Sequence, residues 1–180
     1  MRDANIFTLY KNNGDRGDCN NYRGISLLNV IGKLFTKVVL MKLQVLAERI
    51  CTESQCRFRA KRATIDMIFS LRHLQEKCRE QGKPLYISFI NLTKVFDLVS
   101  RDGLFKILAK IACPPTLLSI MKSFHDDMKG TVLYDGAPSD PFNILSGVKE
   151  GCVFATTLFA IFFATLLKHA CGESTEGIYL

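Results

Sequence analysis

Two spacings of apolar residues run along this chain, and each predicts a type of element. Recurrence every three or four residues predicts helices over residues 28–50, 64–78, 104–111 and 116–128, and a long apolar helix over 152–167. We expect Thr64 and Thr116 to cap the second and fourth of these helices. The inner face of the second is predicted to hold Ile65, Ile68, Leu71, Leu74 and Cys78.

Alternating positions predict strands in two places. In "LYISFIN", residues 85–91, alternation places Leu85, Ile87, Phe89 and Asn91 on one face of a strand and Tyr86, Ser88 and Ile90 on the other. "GTVLYDG" and "FNILSGV", separated by "APSDP", predict a β-hairpin, and the first 21 residues, rich in Gly, Asn and Asp, predict a loop. The order strand, helix, hairpin, helix is that of a split βαβ sheet lacking its last strand.

Composition narrows the class of protein. A chain of 180 residues with 48% hydrophobic and 23% charged residues predicts one globular domain, with or without a small subdomain. The net charge of +7 suits a polyanionic partner but does not establish one. Seven scattered cysteines indicate a reducing, intracellular compartment, nuclear or cytoplasmic. No signal peptide is expected, and residues 152–167 fall short of a membrane span of ~20 residues.

A zinc site is the one metal alternative that the spacing offers. Cys51, Cys56, His73 and Cys78 have loosely finger-like spacing, but no compact pair of ligands anchors them. The pattern therefore disfavours a zinc site.

Three segments in order carry a family resemblance: "NYRGISLLNVIGKLFTKVV" (21–39), "ESQCRFRAKRATID" (53–66) with "FINLTKVFD" (89–97), and "SGVKEGCVFATTLF" (146–159). Over residues 7–180 the chain resembles the reverse transcriptases of non-LTR (LINE-type) retrotransposons. The resemblance implies an α/β (α+β) fold with the incomplete fingers and palm of a right-hand polymerase. Residues 1–84 would be fingers-like and 85–180 a partial palm, truncated before the Asp-Asp motif. It further implies an RNA or DNA template–primer, no membrane, and Mg²⁺ as cofactor, with no protein partner inferable.

In that family a pattern like F-x-D-L-x-K-A-F-D supplies an Asp that binds both Mg²⁺ ions. Here that position is Asn91, whose amide oxygen is neutral. We therefore expect no productive metal binding and no catalysis, although a polar residue that simply ends a strand is the alternative. Phe96 matches the position that excludes a ribose 2′-hydroxyl, or is a core residue. Lys94 is expected to contact nucleic acid, and Asp97 to cap or form a salt bridge.

In "GVKEGCVFATTLF" the family has Gln and Pro where this chain has Glu150 and Thr156. Gly147 and Gly151 remain, consistent with close approach of the backbone. Glu150 and Gly151 are therefore expected at the nucleotide site.

In "QCRFRAKRATID", Arg59 and Arg62 match residues that bind the incoming triphosphate. Arg57 and Lys61 replace glycines and are expected to contact nucleic acid, unless the whole segment is a solvated basic loop.

"FHDD", residues 124–127, imitates the family's F/Y-A-D-D turn but precedes the apolar helix instead of following it. We interpret it as the solvated acidic face of a helix. The sequence thus predicts a catalytically inactive fragment of an RNA-directed DNA polymerase. A non-catalytic nucleic-acid-binding remnant and the product of a decayed element without selected function both stay open.

Overall fold

The computed structural model describes residues 3–51, 62–149 and 151–171, which form a mixed α/β fold. The strands are β1 (Ala4–Tyr10), β2 (Tyr22–Leu27), β3 (Lys129–Tyr134), β4 (Ala137–Pro138) and β5 (Phe142–Asn143). The helices are α1 (Val30–Ala47), α2 (Thr64–Glu80), α3 (Arg101–Lys110), α4 (Pro115–His125) and α5 (Ala155–Cys171), and a single 3-10 turn spans Cys19–Asn21. The predicted α/β class is confirmed.

The sheet joins the start of the described chain to residues 129–143. Its order is β2-β1-β3-β4, and β5 pairs with β3. β1 lies antiparallel to β2 and parallel to β3, with Ala4 opposite Gly130. Because the sheet combines residues 4–27 with residues 129–143, it includes both sides of the predicted boundary at residue 84. The division into fingers-like and palm segments stays a prediction.

The prediction of a loop over the first 21 residues is wrong for residues 4–10. β1 alternates in burial, with Ala4, Ile6 and Thr8 more buried than their neighbours. Most of the Gly, Asn and Asp residues lie in the connection from β1 to β2, and their composition obscured the short strand before it. The later hairpin is confirmed, because β3 pairs antiparallel with both β4 and β5.

The predicted strand over residues 85–91 is also wrong. Residues 84–92 carry no regular secondary structure, and within the described chain their backbone joins no sheet. Tyr86, Phe89 and Ile90 are 80–91% exposed. Alternation shows that a segment favours an extended backbone, but a strand also needs a neighbouring edge to pair with. No described strand pairs with this segment.

The core is formed mainly by α5 and by the inner faces of α1, α3 and α4. Leu158 and Ile161 of α5 are fully buried, as are Leu43 of α1, Leu104 of α3 and Met121 of α4. The prediction that the apolar segment forms a buried helix is therefore confirmed. Among the described residues, no helix has the length and hydropathy needed to cross a bilayer.

Local capping explains where the helices begin. The Asn29 side chain accepts a hydrogen bond from the Gly32 amide at 2.6 Å, which fixes the start of α1. The predicted caps at Thr64 and Thr116 are wrong. Ala63 precedes α2, with the Asp66 carboxylate accepting from its amide at 2.7 Å. Pro114 precedes α4, where Pro115 supplies the preset first position.

Two predictions about helix surfaces also change. Ile65 and Ile68 of α2 are exposed, whereas Leu71, Leu74 and Cys78 are half-buried, so the predicted inner face of α2 is only partly covered. Periodicity identifies an apolar face without identifying what covers it. Asp126 and Asp127 of "FHDD" lie beyond the end of α4, not on it, although both are exposed as expected.

The zinc alternative gains no support from the described residues. Cys51 is buried and Cys78 half-buried, while Cys56 lies outside the described residues. Among the residues that the structure covers, no three His, Cys, Asp or Glu side chains are grouped so as to hold a metal ion.

His125, the last residue of α4, is a buried titratable group in the core. Its Nδ1 lies 2.8 Å from the Met121 carbonyl oxygen, and its ring meets the rings of Phe105 and Phe154 edge-on. The pKa of His125 is lowered to about 4, mainly by burial and also by the nearby charges of Arg101 and Lys149, while the hydrogen bond to Met121 and the Asp126 carboxylate oppose this shift. The ring is therefore neutral in the folded chain near pH 7.

This depressed pKa predicts acid sensitivity. The unfolded chain binds a proton at His125 near pH 6.5 but the folded chain only near pH 4, so stability is present above pH 6.5 and declines as pH falls towards 4. We expect the free energy of unfolding, measured in urea, to fall by about 2 kcal/mol between pH 7.5 and pH 5. His125→Phe should remove this decrease in stability with falling pH. The control His73→Gln, at an exposed position of α2, should keep it. An unchanged slope in His125→Phe would contradict the assignment.

Candidate functional site

Two of the segments singled out in the sequence pack directly against each other. The loop formed by residues 144–149 lies on the turn formed by residues 93–99. The Gly147 amide donates to the Val99 carbonyl at 2.9 Å, and the Val148 amide donates to the Phe96 carbonyl at 2.8 Å. Ser146 Oγ donates to the Asp97 carbonyl at 3.0 Å. The fold thus holds these two segments together through backbone groups and the hydroxyl of Ser146.

Two glycines make this packing possible. Gly147 has φ +80°, and a Cβ there would lie 2.7 Å from the Phe96 and Asp97 carbonyl oxygens. Gly151 has φ +101°, and a Cβ there would collide with the carbonyl oxygen of Ser26 at the end of β2. The two family glycines are therefore required for close approach of backbones, as the sequence predicted. Gly151 also connects the first family segment, through β2, to the third.

Arg101 holds the loop in place, and sequence reasoning missed it. Its guanidinium donates to four carbonyl oxygens at 2.7–3.0 Å: those of His125, Ile144, Ser146 and Gly147. Burial lowers the pKa of Arg101, and the Asp126 carboxylate partly offsets this effect. The sequence did contain one indication of this role. A cation at the first position of a helix interacts unfavourably with the helix dipole, so another favourable contact of Arg101 could have been expected.

The turn that contains Lys94 is tied to the loop after β1. Lys94 has φ +53°, and its Nζ donates to Asn20 Oδ1 at 3.0 Å. The Lys94 carbonyl accepts from the amides of Asp97 and Leu98 at 3.0 and 3.1 Å. Asp97 contributes its backbone groups to these contacts, and its side chain is exposed. Its predicted capping or salt-bridging role stays a prediction.

Asn91 and Phe96 lie in different environments. Asn91 is exposed, at the end of the segment that pairs with no described strand. Phe96 is half-buried, and its ring centroid lies 4.9 Å from that of Phe159 on α5. This contact with the core supports the interpretation of Phe96 as a packing residue. Its role in excluding a ribose 2′-hydroxyl stays a prediction.

Lys149 is a second residue that sequence reasoning passed over. It is only 7% exposed, and burial lowers its pKa, with Arg101 acting in the same direction and Cys152 and Asp3 opposing. Burial likewise raises the pKa of the Cys152 thiol. Because Lys149 is buried, this loop contributes a polar side chain to the interior of the fold.

The basic segment is largely beyond what the structure describes. Arg57, Arg59, Lys61 and Glu150 lie outside the described residues. Arg62 is exposed, two residues before α2 begins. The expected roles of these residues stay predictions.

Comparison with known proteins decides the family. The family model described as reverse transcriptase (RNA-dependent DNA polymerase) matches residues 10–179. The chain belongs to the reverse transcriptase family. This match covers all three segments on which the resemblance rests.

Its curated relatives come from mobile elements, which confirms the LINE-type assignment of this reverse transcriptase segment. It is 26% identical over 170 residues to the RNA-directed DNA polymerase from mobile element jockey of Drosophila melanogaster, covering 93% of this chain and 18% of that protein. It is 28% identical over 165 residues to the Drosophila funebris counterpart, covering 91% and 18%. The chain therefore spans less than a fifth of the length of these relatives.

A solved structure supports the fold of this reverse transcriptase segment. The structure of apo telomerase from Candida tropicalis, truncated from the C-terminal domain, aligns with a TM-score of 0.59 at 14% identity. The alignment covers 97% of this chain and 40% of that one. At this identity the likeness shows the fold alone, and it confirms the right-hand polymerase architecture.

Reverse transcriptases generally use divalent metal, so the residues of this chain can be tested against that need. Mg²⁺ takes six oxygen ligands and favours anionic ones. Asn91 offers one neutral oxygen on an exposed segment, and among the described residues no three His, Cys, Asp or Glu side chains are grouped so as to hold a metal ion. The described residues of this reverse transcriptase segment do not fit a pair of magnesium ions.

The four carbonyl contacts predict that Arg101 is a major source of stability for this reverse transcriptase segment. Arg101→Ala leaves partly buried carbonyls without a donor and should lower the free energy of unfolding by about 2–4 kcal/mol. Arg101→Lys keeps the charge but cannot reach four acceptors, so we expect an intermediate loss. Urea unfolding measures both. Lys106→Ala on the same helix, where Lys106 pairs with exposed Asp102, is the control and should change stability by less than about 0.5 kcal/mol. Equal effects of Arg101→Ala and Lys106→Ala would contradict the role of Arg101.

Proposed function

We propose that this chain forms a template–primer-binding part of a reverse transcriptase domain and does not itself join nucleotides. The observation that carries the proposal is Asn91, which stands where the family pattern has a metal-binding Asp. Replacing a carboxylate by an amide removes a full charge from the contact with a divalent ion. For a carboxylate and a divalent ion about 4 Å apart, in an effective dielectric of 20, this substitution weakens the attraction to the ion by on the order of 4 kcal/mol, even when the attraction of the amide dipole is included. That corresponds to about a thousandfold in rate.

Binding is supported by a different set of residues. We assign nucleotide contacts to Arg59, Arg62, Phe96, Glu150 and Gly151. Contacts with the nucleic-acid backbone are assigned to Arg57, Lys61 and Lys94. Two features support these assignments. Lys94 is exposed on a turn tied to Asn20, and the net charge of +7 favours a polyanion.

The catalytic half of the proposal is tested by primer extension. The full 180-residue chain, supplied with a poly(rA)–oligo(dT) template–primer, dTTP and either Mg²⁺ or Mn²⁺, should give no extension. Asn91→Asp should also give none, because one added carboxylate does not supply the remaining ligands of a two-metal site, and the described residues hold no group of three His, Cys, Asp or Glu side chains that could bind a metal ion. Template-dependent synthesis by the unaltered chain would overturn the proposal that it is inactive.

The binding half is tested by measuring affinity for the same template–primer as a function of salt. We expect log K to fall linearly with log salt concentration, with a slope that becomes shallower by about 0.7–1 for each phosphate contact removed. Arg62→Ala and Lys94→Gln should each show this change, and Lys94→Gln retains a group that can donate to Asn20. Lys106→Ala serves as the control, because Lys106 is a basic residue of α3 to which no nucleotide or nucleic-acid contact is assigned.

Binding without salt dependence, or no binding at low salt, would remove the nucleic-acid assignment while leaving the catalytic test unaffected. An effect of Lys106→Ala equal to that of Lys94→Gln would show that only overall charge matters.

A further inference from the structure

Helix α1 has two apolar faces, and only one is covered. The inner face holds Thr36, Val39, Leu43, Leu46 and Ala47, all of them buried. On the outer face, five apolar side chains are 54–68% exposed, which we call the outer stripe: Ile31, Leu34, Val38, Met41 and Val45. Single exposed apolar residues are ordinary, but a row of five along one helix indicates an interaction site.

We propose that the outer stripe binds an amphipathic helix whose apolar residues are flanked by carboxylates. The five residues are separated by three, four, three and four positions, which is the spacing of a coiled-coil seam. At 100° per residue they occupy a band roughly 80° wide, narrow enough for one partner helix. Val30 and Phe35 lie on either side of its first turn and are also exposed.

Charge beside the outer stripe determines the chemistry of the partner. Lys37 lies on one side of the stripe and Lys42 on the other, and Lys33 lies beyond Lys37. No acidic residue lies within α1, and none of these three lysines takes part in an ion pair with a described residue. A partner helix with Glu or Asp beside its apolar seam would supply the missing counter-charges.

The same charges argue against two copies pairing through this face. An antiparallel pair of outer stripes centred on Val38 would bring Lys37 close to its own counterpart. The whole chain carries a net charge of +7, which adds long-range repulsion between copies. A partner of opposite charge avoids both costs.

The outer stripe is held in a rigid setting. The inner face of α1 packs in the core with α5, and the Asn29 side chain caps the first turn. Phe35 contacts Phe124 of α4, with ring centroids 5.6 Å apart. Because α1 is folded before any partner arrives, little conformational entropy of this helix is lost on binding.

An anionic membrane is the other surface that basic flanks would attract. Helices that lie in a bilayer interface present a broad apolar face with a strongly polar face opposite it. The outer stripe is narrow, and the opposite face of α1 is packed in the core. These two features favour a single helix as the occupant.

The test uses the full chain and two synthetic 21-residue peptides with Leu and Ile at the seam positions. One peptide carries Glu at the flanking positions and the other carries Lys. We expect the Glu peptide to bind in fluorescence anisotropy, and the Lys peptide to bind at least about tenfold more weakly. Val38→Glu should weaken binding of the Glu peptide by a similar factor. The matched control is Ile65→Glu, an exposed apolar residue of α2, which should leave binding unchanged.

A charge-reversed variant gives the decisive result. The double substitution Lys37→Glu and Lys42→Glu should invert the preference, so that the Lys peptide becomes the tighter ligand. Circular dichroism on each variant checks that it is folded, and Met41→Glu replaces Val38→Glu if the latter is not. Equal affinity for both peptides, binding of neither, or no effect of a folded stripe variant would overturn the proposal. Binding to phosphatidylserine vesicles without binding to the Glu peptide would overturn it in favour of a membrane.

Discussion

The arrangement of the candidate site depends on one guanidinium group. Arg101 begins α3, and from there it donates to carbonyl oxygens of α4's last residue and of the loop that follows β5. A loop whose carbonyls all point towards one spot repels itself unless a cation with several donors fills that spot. Arginine alone among the side chains has a planar fork with five donors. The position of Gly147, and with it the contact to the turn at Phe96, follows from this single group.

The loop and the turn are joined by backbone atoms, which makes the geometry insensitive to the identity of most side chains. Gly147 and Val148 bond to the carbonyls of Val99 and Phe96, and Gly151 approaches Ser26. This explains how the chain keeps the family fold at about a quarter sequence identity with its curated relatives. The proposed loss of catalysis rests on one side chain, Asn91, whose identity leaves these backbone contacts unchanged.

The sequence alone predicted the helices well and the sheet poorly. Helical spacing located all five described helices, α1 to α5, because a helix forms its hydrogen bonds within its own segment. A strand depends on a partner strand that can be distant in sequence. For this reason β1, which lies next to polar residues, was not predicted, and residues 85–91 were predicted as a strand that does not form. Gly147 and Gly151 were recognised from their motif. Arg101 was missed because its role appears only when residues 43–46 positions away in sequence are folded against it.

The unpaired segment before Asn91 has a consequence for the chain in solution. From Pro84 to Thr93 the sequence contains no charge, and most of its residues favour extended backbone, which is the composition that stacks into intermolecular cross-β assemblies. Lys83 and Lys94 border it at either end, in the place where charged gatekeepers oppose such stacking. We therefore expect the two ammonium groups to limit association between chains, and salt that screens their charges to weaken this effect.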